Sequence, residues 1–165
     1  MNKKVKRIAQ TGMLIALAMV LSYVEAMLPV IMAVPGVKMG LTNIVVLFSL
    51  YQIDEKNALA INIIRILLTG FLFGNGVSIL YSLSGGILSF VVMLLLKHFS
   101  FSKISVSVAG GVSHNVGQIL MAMLLLKTTA VAWYLFVLWF AGIAAGIVVG
   151  ILSMAVMAST ARLKI

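Results

Sequence analysis

Two apolar stretches of the chain carry polar side chains whose hydrogen-bonding groups cannot be satisfied by lipid. Arg65 lies within one of them, and His114, Asn115 and Gln118 lie near the middle of the other, residues 104–126. On a helix with 3.6 residues per turn, these last three side chains fall within about 100° of one another. Polar groups at mid-membrane depth must face protein or a water-filled cavity. We therefore predict that they form one wall of a binding cavity.

Arg65 is the most informative single residue. A charged side chain at the centre of a membrane helix costs roughly 2.5–3.5 kcal/mol on insertion scales. Asn62 shares its helical face, so the third apolar run also has a polar stripe. One interpretation is a site for an anionic or otherwise polar ligand. The alternative is structural, with Arg65 paired to Glu25 or capping carbonyl groups in a broken helix.

Further candidates for ligand contact come from other apolar runs. They are Glu25, Lys38, Asn43, Asn62, Tyr81 and Ser84. Some of them have a structural alternative. Glu25 and Lys38 could instead form an ion pair that closes the outer mouth of the cavity, and serines are common where membrane helices touch.

The composition predicts an all-α, polytopic membrane protein with a single domain. Hydrophobic residues make up 63% of the 165 residues and charged residues only 9%, whereas about a quarter of a soluble domain is charged. Six transmembrane spans are expected, at about 8–28, 39–53, 58–73, 77–96, 104–126 and 131–158. The glycines at 142, 146 and 150 form a ladder on the sixth span, which favours close packing within the molecule.

The positions of the basic residues predict the orientation. The net charge is +9, but the basic residues are spread over the loops between apolar runs, which argues against a nucleic-acid partner. With the N-terminus inside, nine lysines and arginines fall in inner segments and two, Lys38 and Lys127, in outer ones. The count places both termini in the cytoplasm.

Several classes of chemistry are excluded by what the sequence lacks. There is no cysteine, no phosphate-binding G-x-x-x-x-G-K-[ST] loop, and Asp54 is the sole aspartate. An aspartate pair that holds Mg²⁺ on a diphosphate therefore cannot be built. His98 and His114 lie on different runs and make a poor metal site. We expect no catalytic residues, no metal and no cofactor.

Four motifs in order resemble a known family over nearly the whole chain. They are P-G-V-K-M-G-L-T-N-I (35–44), R-I-L-L-T-G-F-L-F-G (65–74), Y-S-L-S-G-G (81–86) and S-V-A-G-G-V-S-H-N-V-G-Q (107–118). These runs are similar to the Gx transporter family, also labelled heptaprenyl diphosphate synthase component I. That family in turn resembles the S components of energy-coupling factor (ECF) transporters, which are six-helix membrane bundles.

The resemblance implies two different roles in a bacterial inner membrane. An S component captures a small molecule, here an isoprenoid, quinone-related or flavin-like one, and works with a T subunit and two ATPases. Its first helix offers small residues to the T subunit, a role that Ala9, Gly12 and Ala16 match. The synthase label instead implies a non-catalytic accessory subunit of a prenyl diphosphate synthase catalytic subunit. A scaffold in a membrane redox assembly is a third, weaker alternative.

Overall fold

The computed structural model is entirely helical over the residues it describes, 2–27 and 39–162, with the backbone alone for Lys3. Its helices are α1 (Lys3–Met27), α2 (Leu41–Gln52), α3 (Glu55–Phe73), α4 (Gly76–His98), α5 (Lys103–Leu126) and α6 (Tyr134–Arg162), with a 3₁₀ turn at Ala130–Trp133 before α6. Five of these helices are long and apolar enough to cross a membrane. The prediction of an all-α fold is confirmed, and the five long apolar helices are consistent with a multi-pass membrane protein.

Each predicted span overlaps one helix, and most helices run further than their spans, α1 and α6 by the most. α1 begins at Lys3 rather than near residue 8, and α6 continues to Arg162 rather than ending near residue 158. Hydropathy marks the part of a helix inside the hydrocarbon, whereas backbone hydrogen bonding continues into the polar turns beyond it. The polar turns carry the basic residues of both ends.

α2 is the exception in length. It has 12 residues, about 18 Å at 1.5 Å per residue, which is well short of a hydrocarbon core of about 30 Å. Half of its side chains are buried, and it contacts α1, α3 and α6. Its position in the bundle therefore depends on packing against these three helices rather than on its own length.

Polar contacts align α2 antiparallel to α1. At one end Ser22 and Thr42 share a hydrogen bond of 2.9 Å between hydroxyl oxygens. At the other end the Arg7 guanidinium lies 3.3 Å from the Asp54 carboxylate, just past the end of α2. The backbone N–H of Asn57 donates to that carboxylate and, with Arg7 nearby, holds the pKa of Asp54 below its ordinary value. Asp54 is thus charged at neutral pH.

The first turns of α1 and the last turn of α6 lie at the same end of the bundle, which we call the basic end. Arg7, Thr160 and Ala161 line one groove there. On the same end Lys97 of α4 bonds to the Glu55 carboxylate at 2.9 Å. Both described chain ends therefore lie on one side of the bundle.

Glycines let α5 approach both of its neighbours at backbone contact. A Cβ built on Gly117 would lie 2.7 Å from the carbonyl oxygen of Ser84 in α4. A Cβ on Gly146 of α6 would lie 2.5 Å from the Cα of Val108 in α5. Gly142 and Gly150 also face α5, so the expected packing of the α6 glycine ladder within the molecule is confirmed.

Adding one methyl group tests this packing. We expect Gly146→Ala to lower the free energy of unfolding by about 1–3 kcal/mol, because the new carbon would meet the backbone of Val108. Gly12→Ala is the matched control, since nothing lies within 4 Å of its Cβ position; it should be neutral or stabilise by up to about 1 kcal/mol. Thermal unfolding in detergent measures both, and equal stability of the two variants would contradict the packing argument.

Candidate functional site

A cavity lies between the C-terminal part of α1, the beginning of α2 and the middle of the longer helices. Its volume is about 60 Å³, room for a few water molecules. The charged and polar residues that line it are Glu25, Thr42, Asn43, Arg65, Ser82, Ser107, His114, Asn115 and Gln118. Glycines, Met39, Leu47, Met93, Ala145 and Val149 complete the wall. All six helices contribute to this one space.

Arg65 reaches the cavity with an incomplete set of partners. Its Nη2 donates to the Asn62 side-chain oxygen at 3.0 Å and to the Asn43 side-chain oxygen at 3.3 Å. Its Nε is buried and has no hydrogen-bond partner among the described residues. A buried donor without an acceptor costs about 1–3 kcal/mol, so the described residues leave the hydrogen bonding of Arg65 incomplete.

The structure bears on the alternative that Arg65 is a paired structural charge. Ion pairs within 4.0 Å among residues 2–27 and 39–162 join Arg7 to Asp54 and Lys97 to Glu55, and neither involves Arg65. Glu25 lines the same cavity, and its charge attracts Arg65 although the two side chains do not form an ion pair within 4.0 Å. The polar partners of the guanidinium are neutral amides, which orient the charge without neutralising it.

Asn62 orients Arg65 from outside the cavity. It is 2% exposed, and its amide nitrogen donates to the backbone oxygen of Gly86 at 3.0 Å, while its oxygen accepts from Arg65. Gly86 allows this approach, because a Cβ there would lie 3.2 Å from the amide nitrogen of Asn62. Asn62 does not line the cavity. It is a positioning residue rather than a contact.

Glu25 lies where α2 begins. Its Oε1 accepts a hydrogen bond of 2.6 Å from the backbone N–H of Gly40, the residue before α2, which adopts the left-handed conformation at φ 73°. A carboxylate at a helix N-terminus is favourable because the first N–H groups are unpaired and carry partial positive charge. Lys38, expected as a pairing partner or ligand contact, lies outside the described residues.

The polar stripe of α5 lines the cavity as predicted from its spacing. His114, Asn115 and Gln118 all face it. Asn115 also has a structural role, since its amide nitrogen donates to the backbone oxygen of Leu138 in α6 at 2.6 Å. His114 and Gln118 pack against Gly85 of α4, at 3.0 Å from where its Cβ would be.

Two of the predicted contacts from α4 do not line the cavity. The Ser84 hydroxyl donates to the backbone oxygen of Gly117 at 2.7 Å, so it joins α4 to α5 instead. Tyr81 is also absent from the cavity wall, whereas Ser82 is present. The sequence placed several polar residues on this part of α4, and helical spacing alone could not distinguish neighbours in the Y-S-L-S run.

The small residues Ala9, Gly12 and Ala16 lie away from the cavity. All three are exposed on α1, and a Cβ built on Gly12 would meet nothing within 4 Å. The 18-residue apolar window of α1 is only 11% buried inside the bundle. This face is therefore open to lipid or to another protein.

The motifs noted in the sequence agree with one comparison. The profile of the family described as heptaprenyl diphosphate synthase component I matches residues 14–156. The chain belongs to this family. No curated protein and no solved structure matches it, so the similarity of the heptaprenyl diphosphate synthase component I family to S components stays a prediction. Among the described residues, no three His, Asp or Glu side chains could together hold a metal ion.

Replacing the charge at Arg65 tests whether it is structural. We expect Arg65→Met to fold and to be at least as stable as the wild type, because Arg65 has no ion-pair contact within 4.0 Å among the described residues and replacing a buried charge by an apolar side chain of similar size is often neutral or stabilising. Asn62→Ala should instead lose about 1–3 kcal/mol, since it removes two buried hydrogen bonds, to the Gly86 carbonyl and to Arg65. Thermal unfolding in detergent compares them. Failure of Arg65→Met to fold, or a large loss of its thermal stability, would favour the structural alternative.

Proposed function

We propose that this protein is a non-catalytic, ligand-binding subunit of the bacterial inner membrane. It crosses the membrane six times with both termini in the cytoplasm and captures a small molecule from the outer side. The observation that carries the proposal is the Arg65 guanidinium, which lines a polar cavity and whose Nε has no partner among the described residues. A ligand with an anionic or carbonyl oxygen would accept hydrogen bonds from this guanidinium.

The chemistry of the wall supports recognition by hydrogen bonding. Asn43, His114, Asn115 and Gln118 surround the position that Arg65 reaches, and amides and an imidazole can each donate or accept. Charge-assisted hydrogen bonds to a guanidinium are roughly twice as strong as neutral ones. Arg65 would therefore provide most of the affinity and the neutral side chains the selectivity.

The size of the cavity limits what can enter it as it stands. Its volume of about 60 Å³ is far below the roughly 300–1,000 Å³ of pockets that enclose a drug-sized ligand. A head group of a few atoms fits, whereas an isoprenoid tail or a flavin ring system does not. Binding of a larger ligand requires the helices around the cavity to separate, or its apolar part to remain outside the cavity.

The position of the cavity favours entry from the side opposite the basic end. Glu25 and Gly40, at the far end from Arg7, contribute to its wall. Toward the basic end it is closed by a buried apolar cluster that includes Leu47, Leu50 and Met93. If the basic end is cytoplasmic, as the positive-inside rule indicates, the ligand enters from outside.

Uptake would need partners, because the chain has no nucleotide-binding loop of its own. The exposed face of Ala9, Gly12 and Ala16 is suited to close contact with another membrane helix. An ECF T subunit with two ATPases is the partner that the resemblance implies. This proposal accounts for both an open small-residue face and a closed polar cavity.

The second candidate is a membrane accessory subunit of a heptaprenyl diphosphate synthase. Family membership is the observation that favours it. In that role Arg65 would hold the diphosphate or an oxygen of a prenyl substrate, and a separate catalytic subunit would carry the chemistry. Co-purification distinguishes the two candidates: a T subunit and ATPases support uptake, and a prenyl synthase supports the accessory role.

A bound molecule would be the most direct support. Native mass spectrometry of the protein, purified gently from its own membrane, should show a bound small molecule that is lost in Arg65→Met. Ser84→Ala is the control, because Ser84 bonds to a backbone carbonyl outside the cavity; it should retain the molecule. Retention of the molecule in both variants would contradict a site at Arg65. A wild-type protein that carries partner subunits but no small molecule would favour the accessory or scaffold role.

The orientation can be measured because the chain has no cysteine. We expect Lys127→Cys, in the turn after α5, to react with a membrane-impermeant maleimide added to intact cells. Lys56→Cys, at the basic end, should react only after the membrane is permeabilised. Both positions are exposed. The opposite pattern would place the basic end and both termini outside.

A further inference from the structure

A second concavity lies at the basic end, between the first turns of α1, the end of α2 and the last turn of α6. We call it the basic-end groove. Its volume is about 370 Å³, and it is lined by Arg7, Gln10, Met13, Leu14, Phe48, Gln52, Ile53, Thr160 and Ala161. It shares no residue with the cavity around Arg65, so the proposed function does not account for it.

The lining of this groove is amphipathic. Leu14, Phe48 and Ile53 are among its apolar residues, while Arg7, Gln10 and other polar side chains also line it. The Arg7 side chain is 61% exposed, and its ion-pair partner is Asp54. Among residues 2–27 and 39–162, the side-chain amides of Gln10 and Gln52 make no hydrogen bond with protein. The groove therefore offers a cation and free amides beside an apolar surface.

The charges around the groove indicate the sign of charge that a bound molecule should carry. Lys4, Lys6 and Arg7 lie in the first turns of α1, and Arg162 ends α6 next to two residues of the wall. Asp54, paired with Arg7, is the acidic group in contact with the lining. Glu55 is paired with Lys97 of α4. The excess of positive charge favours an anion at this end.

The position of the groove selects the kind of anion. Arg7, Gln52 and Thr160 lie near the ends of their helices, whereas Leu14 and Phe48 lie about one to two turns further into the bundle. That is the depth at which a bilayer changes from head groups to hydrocarbon. A free phosphate would satisfy Arg7 and leave the apolar surface uncovered, whereas a phospholipid has both parts in this order.

We propose that the basic-end groove binds one anionic phospholipid from the surrounding membrane. Its phosphate lies against Arg7, and the amides of Gln10 and Gln52 donate to phosphate or ester oxygens. An acyl chain covers Leu14 and Phe48. The lipid thereby bridges α1, α2 and α6, and in the apolar stretch of α1 only 11% of the residues are buried inside the bundle.

Lipid binding here leaves the small-residue face of α1 free. At about 100° per residue, Arg7, Gln10 and Leu14 centre on one side of α1 and Ala9, Gly12 and Ala16 on nearly the opposite side. A lipid in the groove and a helix on the small-residue face can therefore be bound together. The two sites can be tested independently.

The experiment uses the full chain, delipidated in detergent and titrated with phosphatidylglycerol, with lipid-bound species counted by native mass spectrometry. We expect one phosphatidylglycerol to be retained in preference to phosphatidylcholine. Arg7→Gln should weaken its binding about fivefold, the effect of one basic residue at an anionic membrane surface. Asp54→Asn should strengthen binding, because it frees Arg7 while still capping α3.

Matched controls distinguish a specific lipid-binding site from non-specific electrostatic attraction to the basic end. Lys56→Gln removes the same charge at the same end but outside the groove lining, and it should leave binding unchanged. Ala161→Phe fills the groove and should reduce lipid binding without changing charge. Glycerol 3-phosphate, which lacks acyl chains, should not compete.

Four results would overturn the proposal. They are equal retention of the two lipids by the wild type, unchanged phosphatidylglycerol binding in Arg7→Gln, a loss of binding in Lys56→Gln equal to that in Arg7→Gln, and effective competition by glycerol 3-phosphate. A protein partner retained in place of lipid, and lost in Ala161→Phe, would assign the groove to that partner instead.

Discussion

The cavity exists because α5 approaches α4 and α6 at backbone contact. Inside a membrane there is little hydrophobic force between helices, so close packing and interhelical hydrogen bonds must hold them together. Glycines at 111, 117, 142 and 146 remove the side chains that would keep these backbones apart. The bonds from Ser84 to Gly117 and from Asn115 to Leu138 then become short enough to form. The polar stripe of α5 is enclosed as a result.

The same constraint explains the arrangement around Arg65. A guanidinium in a lipid-facing position would be expensive, but here amides from α2 and α3 hold it in place. These amides are neutral, so they fix its direction and leave its charge available. A carboxylate in contact would have stabilised the empty protein and competed with any ligand. Under the proposed function, the guanidinium charge therefore stays available for a bound ligand.

Much of this arrangement could be predicted from sequence, because periodicity and hydropathy act locally. The helical class, the α5 stripe and the presence of Arg65 on a polar face all follow from residues within a few turns of one another. The contact of Glu25 with Gly40 could not be predicted, since it depends on a left-handed residue and on how α1 meets α2. For the same reason the sequence could not decide that Ser82 lines the cavity while Ser84 joins two helices. Those outcomes depend on the relative rotation of α4 and α5.

The shortness of α2 has a consequence for how the protein is made. A segment of 12 residues cannot satisfy the bilayer by itself as it leaves the ribosome, because it covers only about 18 Å of a hydrocarbon layer about 30 Å thick. α3 follows after two residues, with Asp54 capping its first turn. We therefore expect α2 and α3 to enter the membrane together as a hairpin, with α2 inserted only once α3 has been synthesised. Insertion of this part of the cavity wall would then depend on translation of the helix that carries Arg65.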